Sequence, residues 1–303
     1  MPKNNKTTIM TLLLITIPSV LFWSFDCRLT FSKTPIGIFG IVISVVFYLT
    51  IMTFLVLSSV TDPGIIPRAS NSEKEDIWER CKIEYSDGLN SILGPNEPRI
   101  YENISNGKTV KLKFCSTCRI YRPPGTHHCR ICDNCIRNFD HHCPFIGNCV
   151  GYRNYRYFFA FISFLTIYIF VILGLTITHV VIFQKETKDF GRTLSESWGS
   201  SLTAAICLLS VFPMCGLTGF HWNLLGTGTT TYEYSSNNSK CSCLKLVKNF
   251  WKLIGMDIGI SLVDGRRFVD STNPLENKPK YPDDIDKFTS VRVFEISSKI
   301  TTK

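Results

Sequence analysis

The triplet His-His-Cys occurs twice in HHCRICDNCIRNFDHHCPFIGNC, residues 127–149, and its two copies begin fourteen residues apart. Clustered histidine and cysteine side chains commonly bind metal ions or act in nucleophilic catalysis. Seven of the thirteen cysteines of the chain lie within residues 115–149, so this segment is the first place to look for chemistry. The spacing within the segment indicates which role suits each residue.

Two sets of candidate metal ligands share one spacing, C-x2-C-x9-H-x6-C. The first set is Cys115, Cys118, His128 and Cys135, and the second is Cys129, Cys132, His142 and Cys149. Three thiolates and one imidazole are typical of a closed, tetrahedral structural zinc site. The sequence therefore predicts two interleaved zinc sites, which would stabilise a segment that has few long apolar runs.

Three histidine and cysteine residues of the segment belong to neither set: His127, His141 and Cys143. A third set that began at Cys143 would lack every other ligand at the required spacing. Asp140 and His141 lie just before Cys143, and a carboxylate that orients an imidazole beside a thiol is an arrangement used in nucleophilic catalysis. We predict that Cys143 is a nucleophile; the alternative is that His141 and Cys143 only pack.

The rest of the chain is dominated by uncharged apolar runs. Asp, Glu, Lys and Arg are absent from residues 7–25, 35–61, 157–184 and 197–232, and a helix that spans a bilayer needs only about 20 such residues. We predict four transmembrane helices, the fourth spanning near residues 202–222. The alternative for the first run is a signal peptide, but it lacks a convincing small-residue cleavage site.

Four crossings place both termini and the long middle loop on one side of the membrane. That side carries 28 of the 33 Lys and Arg residues, which predicts that it faces the cytosol. The net charge of +9 then indicates attraction to an anionic leaflet rather than to nucleic acid. A reducing cytosol also favours metal binding over the alternative of a redox-active or disulfide-linked cluster.

These features predict an all-α multi-pass membrane protein with four transmembrane helices and a cytosolic cysteine-rich loop domain folded around two structural zinc ions. The predicted parts are a cytosolic N-terminus (1–6), helices 1 and 2 (7–61), a cytosolic segment with a flexible insertion (62–110), the zinc domain (111–156), helices 3 and 4 (157–222), and a cytosolic C-terminal region (223–303). In this last region, CLKLVKNFWKLIGMDIG predicts a basic amphipathic helix at the membrane interface. An ordinary packed helix is the alternative.

The motif Asp140-His141-His142-Cys143, with the cysteine spacing around it in residues 115–158, resembles the DHHC-type protein S-acyltransferases, or palmitoyltransferases. Asp62-Pro63-Gly64, after the second helix, is similar to the DPG motif of that family. Thr230-Thr231-Tyr232-Glu233, after the fourth helix, is similar to its TTxE motif. Together these features cover most of residues 7–233.

The resemblance implies a two-step, ping-pong reaction. Cys143 would accept a long-chain acyl group from palmitoyl-CoA and pass it to a cytosolic cysteine of a membrane-associated substrate protein. His141 would be the general base, Asp140 would orient it, and Thr231 would hydrogen-bond Asp140. The implied cofactors are two Zn²⁺ ions, with acyl-CoA as cosubstrate and the lipid bilayer as the surrounding partner.

The acyl chain and CoA need opposite environments. A long acyl chain exposed to water costs on the order of 10 kcal/mol, so the site should open onto an apolar cavity. Candidates for its lining are Phe145, Phe158, Phe161 and Tyr168, of which Tyr168 could limit chain length; the alternative is a stripe that packs on a helix or faces lipid. Candidates for contacts with the CoA phosphates are Arg119, Arg122, His127 and Arg130; the alternative is that each is a solvated loop residue.

Two positions depart from the family pattern. Gly125, in RPPGTHHC, replaces the usual arginine, which affects the expected CoA contact, and Phe145 replaces the usual tryptophan. A non-catalytic membrane adaptor would have no chemical reason to keep the free Asp140-His141-Cys143 set, and a zinc-finger nucleic-acid binder would need a groove-reading helix. Both an endomembrane (Golgi or ER) and the plasma membrane agree with the sequence.

Overall fold

A computed structural model describes residues 5–26, 35–68, 99–104, 108–234 and 241–255. Its helices in chain order are α1 (Asn5–Asp26), α2 (Pro35–Val60), α3 (Tyr155–Thr187), α4 (Phe190–Glu196), α5 (Trp198–Thr227), α6 (Thr231–Tyr234) and α7 (Cys243–Ile254). Four of these, α1, α2, α3 and α5, are long and apolar enough to cross a membrane. This confirms the predicted class, an integral membrane protein with four such helices.

The four long helices pack as a bundle with α3 at its centre, in contact with α2 on one side and α5 on the other. Large apolar side chains, among them Leu55, Phe158 and Ile162, are buried where these helices meet. Others on the outside of the bundle, such as Phe39 and Phe212, are exposed. An apolar outer surface is expected for helices whose solvent is lipid.

Between α2 and α3, the chain forms antiparallel strands, most of them only two or three residues long. They are β1 (Ile65–Ile66), β2 (Arg99–Ile104), β3 (Lys108–Cys115), β4 (Ile120–Arg122), β5 (His127–Cys129), β6 (Asn134–Ile136), β7 (His141–Cys143) and β8 (Asn148–Val150). β1, β6 and β5 form one sheet, β2, β3 and β4 a second, and β7 and β8 a third. Strands of two or three residues are too short for periodicity to predict them. Residues 69–98, the main part of the predicted insertion, lie outside the described residues.

The DPG segment connects the end of α2 to this cysteine-rich region. Asp62 Oδ1 accepts hydrogen bonds from the backbone N–H groups of Gly64 and Ile65, both at 3.0 Å. Gly64 has φ +105°, which a residue with a Cβ rarely adopts, and its carbonyl accepts from Arg137 N at 2.9 Å. The turn leads into β1, which pairs with β6 and so fixes Cys135 relative to the bundle.

Two buried asparagines bind the other side of the cysteine-rich region to the end of α2. Asn148 Nδ2 donates to the carbonyls of Ser59 and Thr61 at 3.0 Å, and Asn154 Nδ2 donates to the carbonyl of Ser58 at 3.0 Å. The last carbonyls of a helix have no partner within the helix. These bonds therefore complete the C-terminus of α2 and hold β8 against it.

A buried polar cluster joins α1, α3 and α5 far from the cysteine-rich region. His179 lies 24 residues after Tyr155, about 36 Å along α3. Its Nδ1 lies 2.9 Å from Asp26 Oδ1 and 3.0 Å from Ser200 Oγ, and all three side chains are fully buried. Ionisable groups inside a membrane protein are costly unless paired, so this cluster fixes the three helices relative to one another.

The helix α7 lies within the predicted amphipathic segment and has three distinct faces. One face packs against α5, with Asn249 and Leu253 buried and Asn249 Nδ2 donating to the carbonyl of Leu225 at 2.7 Å. A second face exposes Leu244, Val247, Trp251 and Ile254, and the third carries Lys245, Lys248 and Lys252. The packing agrees with the alternative of a packed helix, whereas the exposed apolar face suits a membrane interface, which stays a prediction.

Candidate active site and metal centres

The structure assembles each predicted ligand set into a compact cluster. His128 Nδ1 lies 3.6, 3.4 and 3.9 Å from the sulfurs of Cys115, Cys118 and Cys135, respectively. His142 Nδ1 lies 3.8, 3.4 and 3.6 Å from those of Cys129, Cys132 and Cys149. The usual Zn–S and Zn–N bond lengths give an N···S separation of about 3.6 Å in a tetrahedral site. The donor types and their spacing therefore fit one Zn²⁺ in each cluster.

The fourteen-residue repeat in the sequence is also a structural repeat. The hairpin β5–β6 pairs His128 with Cys135, and the hairpin β7–β8 pairs His142 with Cys149. The residue after each Cys-x2-Cys, Arg119 or Asp133, has positive φ. Each cluster thus combines a tight cysteine turn with a hairpin that brings the last two ligands together.

Cys143 lies at the end of β7 next to the second cluster but outside it, and its side chain is 5% exposed. Asp140, 1% exposed, has its Oδ2 2.8 Å from His141 Nδ1. Burial lowers the pKa of His141, but hydrogen bonds and charge interactions with Asp140 and Cys143 outweigh burial and raise the pKa to about 9. The structure therefore brings together the three residues that the sequence analysis selected as a nucleophile and its base.

The TTxE motif forms a reciprocal capping box at the start of α6. Thr230 Oγ1 accepts from Glu233 N at 3.2 Å, and Glu233 Oε2 accepts from Thr230 N at 3.2 Å. Thr231, held between them, donates its hydroxyl to Asp140 Oδ2 at 2.7 Å and its N–H to Asp140 Oδ1 at 3.1 Å. The motif therefore positions two donors on the carboxylate that orients His141.

The candidates for the acyl-chain lining divide into two groups. Phe158, Phe161 and Tyr168 are buried in the same apolar cluster as Cys143. Phe145, by contrast, is 54% exposed, and its carbonyl accepts a hydrogen bond from Thr11 Oγ1 of α1 at 2.8 Å. The structure thus provides a continuous apolar region from Cys143 into the bundle, and Phe145 is not part of it.

Tyr168 has a polar partner within this apolar region. Its hydroxyl donates to Ser19 Oγ of α1 at 2.9 Å, and both residues are buried. The sequence analysis did not select Ser19. The only signal for it was a hydroxyl in an otherwise apolar run, which many membrane helices contain.

The candidates for CoA contacts differ in exposure and charge. Arg119 and Arg130 are exposed, and Arg122 donates to the carbonyl of Lys113 at 3.4 Å. The ring of His127 packs against that of Tyr232, with 3.6 Å between ring centroids and 35° between the ring planes. Burial, followed by the positive charges of Arg122 and Lys113, lowers the pKa of His127 to about 4. His127 is therefore a neutral hydrogen-bonding group here and not a cation.

Gly125, which departs from the family pattern, has φ +71°. A Cβ at this position would come within 2.7 Å of Asn138 Oδ1. An arginine here would therefore require a left-handed backbone and a shift of Asn138. The turn at residue 125 therefore favours glycine over arginine.

A third group of residues includes one that the sequence analysis missed. Asp140, His141 and His221 of α5 each place one side-chain N or O atom within 4.8 Å of the other two. A histidine within the charge-free run of the fourth helix was the available signal, since polar groups in membrane helices commonly mark functional sites.

Comparison with known proteins agrees with this geometry. The family model for the DHHC palmitoyltransferase matches residues 108–238. Palmitoyltransferase ZDHHC14 of Mus musculus is 39% identical over 283 residues, which cover 89% of this chain and 56% of that protein. Palmitoyltransferase ZDHHC18 of Homo sapiens is 38% identical over 280 residues, which cover 88% of this chain and 69% of that protein. Palmitoyltransferase ZDHHC18-B of Danio rerio is 38% identical over 289 residues, which cover 89% of this chain and 71% of that protein. This chain thus spans little more than half the length of ZDHHC14, and its similarity to these proteins shows that it belongs to the DHHC palmitoyltransferase family.

Proposed function

We propose that this protein is a protein S-palmitoyltransferase that carries a long-chain acyl group on Cys143. The observation that carries the proposal is a buried cysteine, outside both metal clusters, beside an imidazole that a buried carboxylate orients. Membership of the DHHC palmitoyltransferase family supports the same reaction. A non-catalytic adaptor would need the two clusters but not this arrangement.

In the first step, His141 takes the proton of the Cys143 thiol, and the sulfur attacks the carbonyl carbon of the acyl-CoA thioester. The bond between that carbon and the CoA sulfur breaks, and the CoA thiolate accepts the proton from His141. Asp140 stabilises the imidazolium while it holds the proton. The products are free CoA and an acyl thioester on Cys143.

In the second step, His141 takes the proton of a cysteine thiol on the substrate protein. The substrate sulfur attacks the acyl carbon on Cys143, the bond to Cys143 breaks, and the Cys143 thiolate accepts the proton. One thioester replaces another in each step, so neither requires a further energy source. The substrate cysteine must lie near the membrane surface, because Cys143 precedes α3 by only twelve residues.

Each of the two clusters would hold one Zn²⁺ ion through its four ligand residues. Bound zinc would supply structural stabilisation rather than catalysis, because four protein ligands leave no open position for water or substrate. The hairpin β7–β8 contains ligands His142 and Cys149 as well as His141 and Cys143. Holding this hairpin therefore also holds the nucleophile and its base.

The acyl chain would lie in the apolar region that begins at Cys143, lined by Phe158 and Phe161. We assign the Tyr168–Ser19 hydrogen bond to the far end of this region, where it would limit chain length. CoA would remain at the membrane surface that carries most of the positive charges, which we propose to be the cytosolic one. There Arg119, Arg122 and Arg130 would contact its phosphates, with His127 as a neutral hydrogen-bond donor.

The purified, zinc-replete protein should be incubated with alkyne-tagged palmitoyl-CoA and assayed for label that hydroxylamine removes. We expect label on wild type and on Cys207→Ser, and none on Cys143→Ser. Cys207 is the matched control, because it is also a buried cysteine of the apolar cluster outside both metal clusters. Equal labelling of wild type and Cys143→Ser would contradict the proposal and leave a zinc-stabilised adaptor.

A further inference from the structure

His221 occupies an unusual place near the end of α5, where it is 1% exposed. Its Nδ1 lies 3.3 Å from the hydroxyl oxygen of Tyr155. Its ring contacts Phe158 edge-on, with 5.1 Å between centroids, and lies 5.9 Å from the ring of His141. One ring nitrogen is within 4.8 Å of an Asp140 oxygen and of a nitrogen of His141.

A buried imidazole is costly in an apolar helix unless its nitrogens have polar partners. The Tyr155 hydroxyl is a hydrogen-bond partner of His221 Nδ1, and the aromatic rings of Phe158 and Phe220 contact the imidazole ring. Asp140 and His141 also place polar atoms close to the ring. The surroundings of His221 are therefore those of a group directed at the catalytic pair rather than of one that only fills space.

Asp140 is the acceptor on which the described donors of this site converge. His141 Nδ1, Thr231 Oγ1 and Thr231 N lie 2.8, 2.7 and 3.1 Å from its carboxylate oxygens. If the Tyr155 hydroxyl donates to His221 Nδ1, the neutral ring must carry its proton on Nε2. Nε2–H is then a donor, and an Asp140 oxygen lies within 4.8 Å of a nitrogen of this ring.

We propose that His221 is a positioning residue for the Asp140–His141 pair. Tyr155 selects the His221 tautomer, and His221 Nε2–H supports the Asp140 carboxylate from α5 while Thr231 supports it from α6. The orientation of His141 toward Cys143 then depends on α5 as well as on the cysteine-rich hairpin. The effect on acyl transfer rests on the proposed function, whereas the arrangement itself does not.

Three substitutions separate positioning from packing. The amide nitrogen of Gln reaches the place of Nε2, that of Asn reaches the place of Nδ1, and Leu keeps the volume without a polar atom. At saturating palmitoyl-CoA, we expect His221→Leu and His221→Asn to slow single-turnover acylation of Cys143 at least tenfold, the effect of one lost hydrogen bond to a charged group. His221→Gln should stay within about threefold of wild type, and KM for palmitoyl-CoA should not change.

The proposal would be overturned by a wild-type acylation rate in His221→Leu, or by equal losses in the Gln and Leu variants. Tyr155→Phe provides a milder test, because it removes only the hydroxyl; it should slow acylation with unchanged zinc content, and a wild-type rate would count against the tautomer argument. Zinc content and thermal unfolding, measured on every variant, identify any that are misfolded.

A second readout does not require acyl-CoA. The rate at which iodoacetamide alkylates Cys143 at pH 7, with Cys143→Ser as background, reports how well the oriented His141 activates the sulfur. We expect His221→Leu to be alkylated more slowly than wild type and His221→Gln to resemble wild type. Unchanged alkylation in His221→Leu contradicts the positioning role. Failure of wild type to become acylated would instead contradict the proposed function, and the alkylation rates would still decide the role of His221.

Discussion

The hydroxyl of Thr231 offers a sharp test of how the site is organised. Thr231→Val replaces this hydroxyl with a methyl group of similar shape and removes the 2.7 Å hydrogen bond to Asp140 Oδ2. The backbone N–H of residue 231 still reaches Oδ1, so the carboxylate keeps one of the two bonds that this residue makes. The substitution therefore removes one hydrogen bond to Asp140 and leaves the packing around its carboxylate unchanged.

The expected magnitude follows from the type of bond. A hydrogen bond to a charged group contributes about 1.5–3 kcal/mol, and about 1.4 kcal/mol corresponds to a tenfold change in rate. Asp140 is almost fully buried, so water cannot replace the lost donor easily. We expect Thr231→Val to slow acylation of Cys143 by about tenfold to a hundredfold.

Single-turnover acylation with palmitoyl-CoA measures this effect. Thr231→Ser keeps the hydroxyl and should stay within a few-fold of wild type. Thr229→Val is the matched control, because Thr229 is a nearby threonine whose hydroxyl is also hydrogen-bonded, but to Thr227 at 2.8 Å rather than to Asp140. If Thr231→Val acylates at the wild-type rate, the hydrogen bond does not position the catalytic pair and the reasoning fails.

Other parts of the structure make independent predictions. Chelation of the metal ions should make residues 115–149 sensitive to proteolysis and stop acylation, since zinc binding supplies folding free energy; unchanged protection would count against structural zinc. Gly64→Ala, at φ +105°, should lower the free energy of unfolding by about 1–2 kcal/mol, whereas Gly174→Ala, where an added Cβ meets nothing within 4 Å, should not lower the thermal midpoint. Asp26→Leu should lower the thermal midpoint by unpairing His179, and adding His179→Leu should recover part of the loss; equal midpoints for the single variant and wild type would show that the pair is not stabilising. Tyr168→Ala should shift the preference toward longer acyl-CoA, as competition between chain lengths would show, and an unchanged preference would remove Tyr168 from the chain-length role.

The features that the sequence predicted well are local patterns. Four charge-free runs indicated the four long helices, because length and polarity alone decide whether a helix can span a bilayer. The repeated spacing indicated two ligand sets, because each set is made by one cysteine turn and one hairpin. Such patterns require no knowledge of how distant segments meet.

The features that the sequence did not predict depend on contacts between distant segments. Thr11 reaches the loop after Cys143, Ser19 meets Tyr168, and His221 approaches Asp140. Each of these is a polar residue in an apolar run, a signal that does not specify a partner. Thr231 was selected only through the resemblance to a family, and the capping box explains physically why that motif contains Thr230 and Glu233.

The central claim is that Cys143 itself carries the acyl group between CoA and the substrate protein. Intact-protein mass spectrometry after brief mixing with palmitoyl-CoA, without acceptor protein, tests it most directly. The account predicts a single added palmitoyl group, located on Cys143 by peptide mapping and lost when an acceptor cysteine is supplied. A protein that transfers palmitoyl to the acceptor while Cys143 stays unmodified, or one that acylates another cysteine instead, would contradict it.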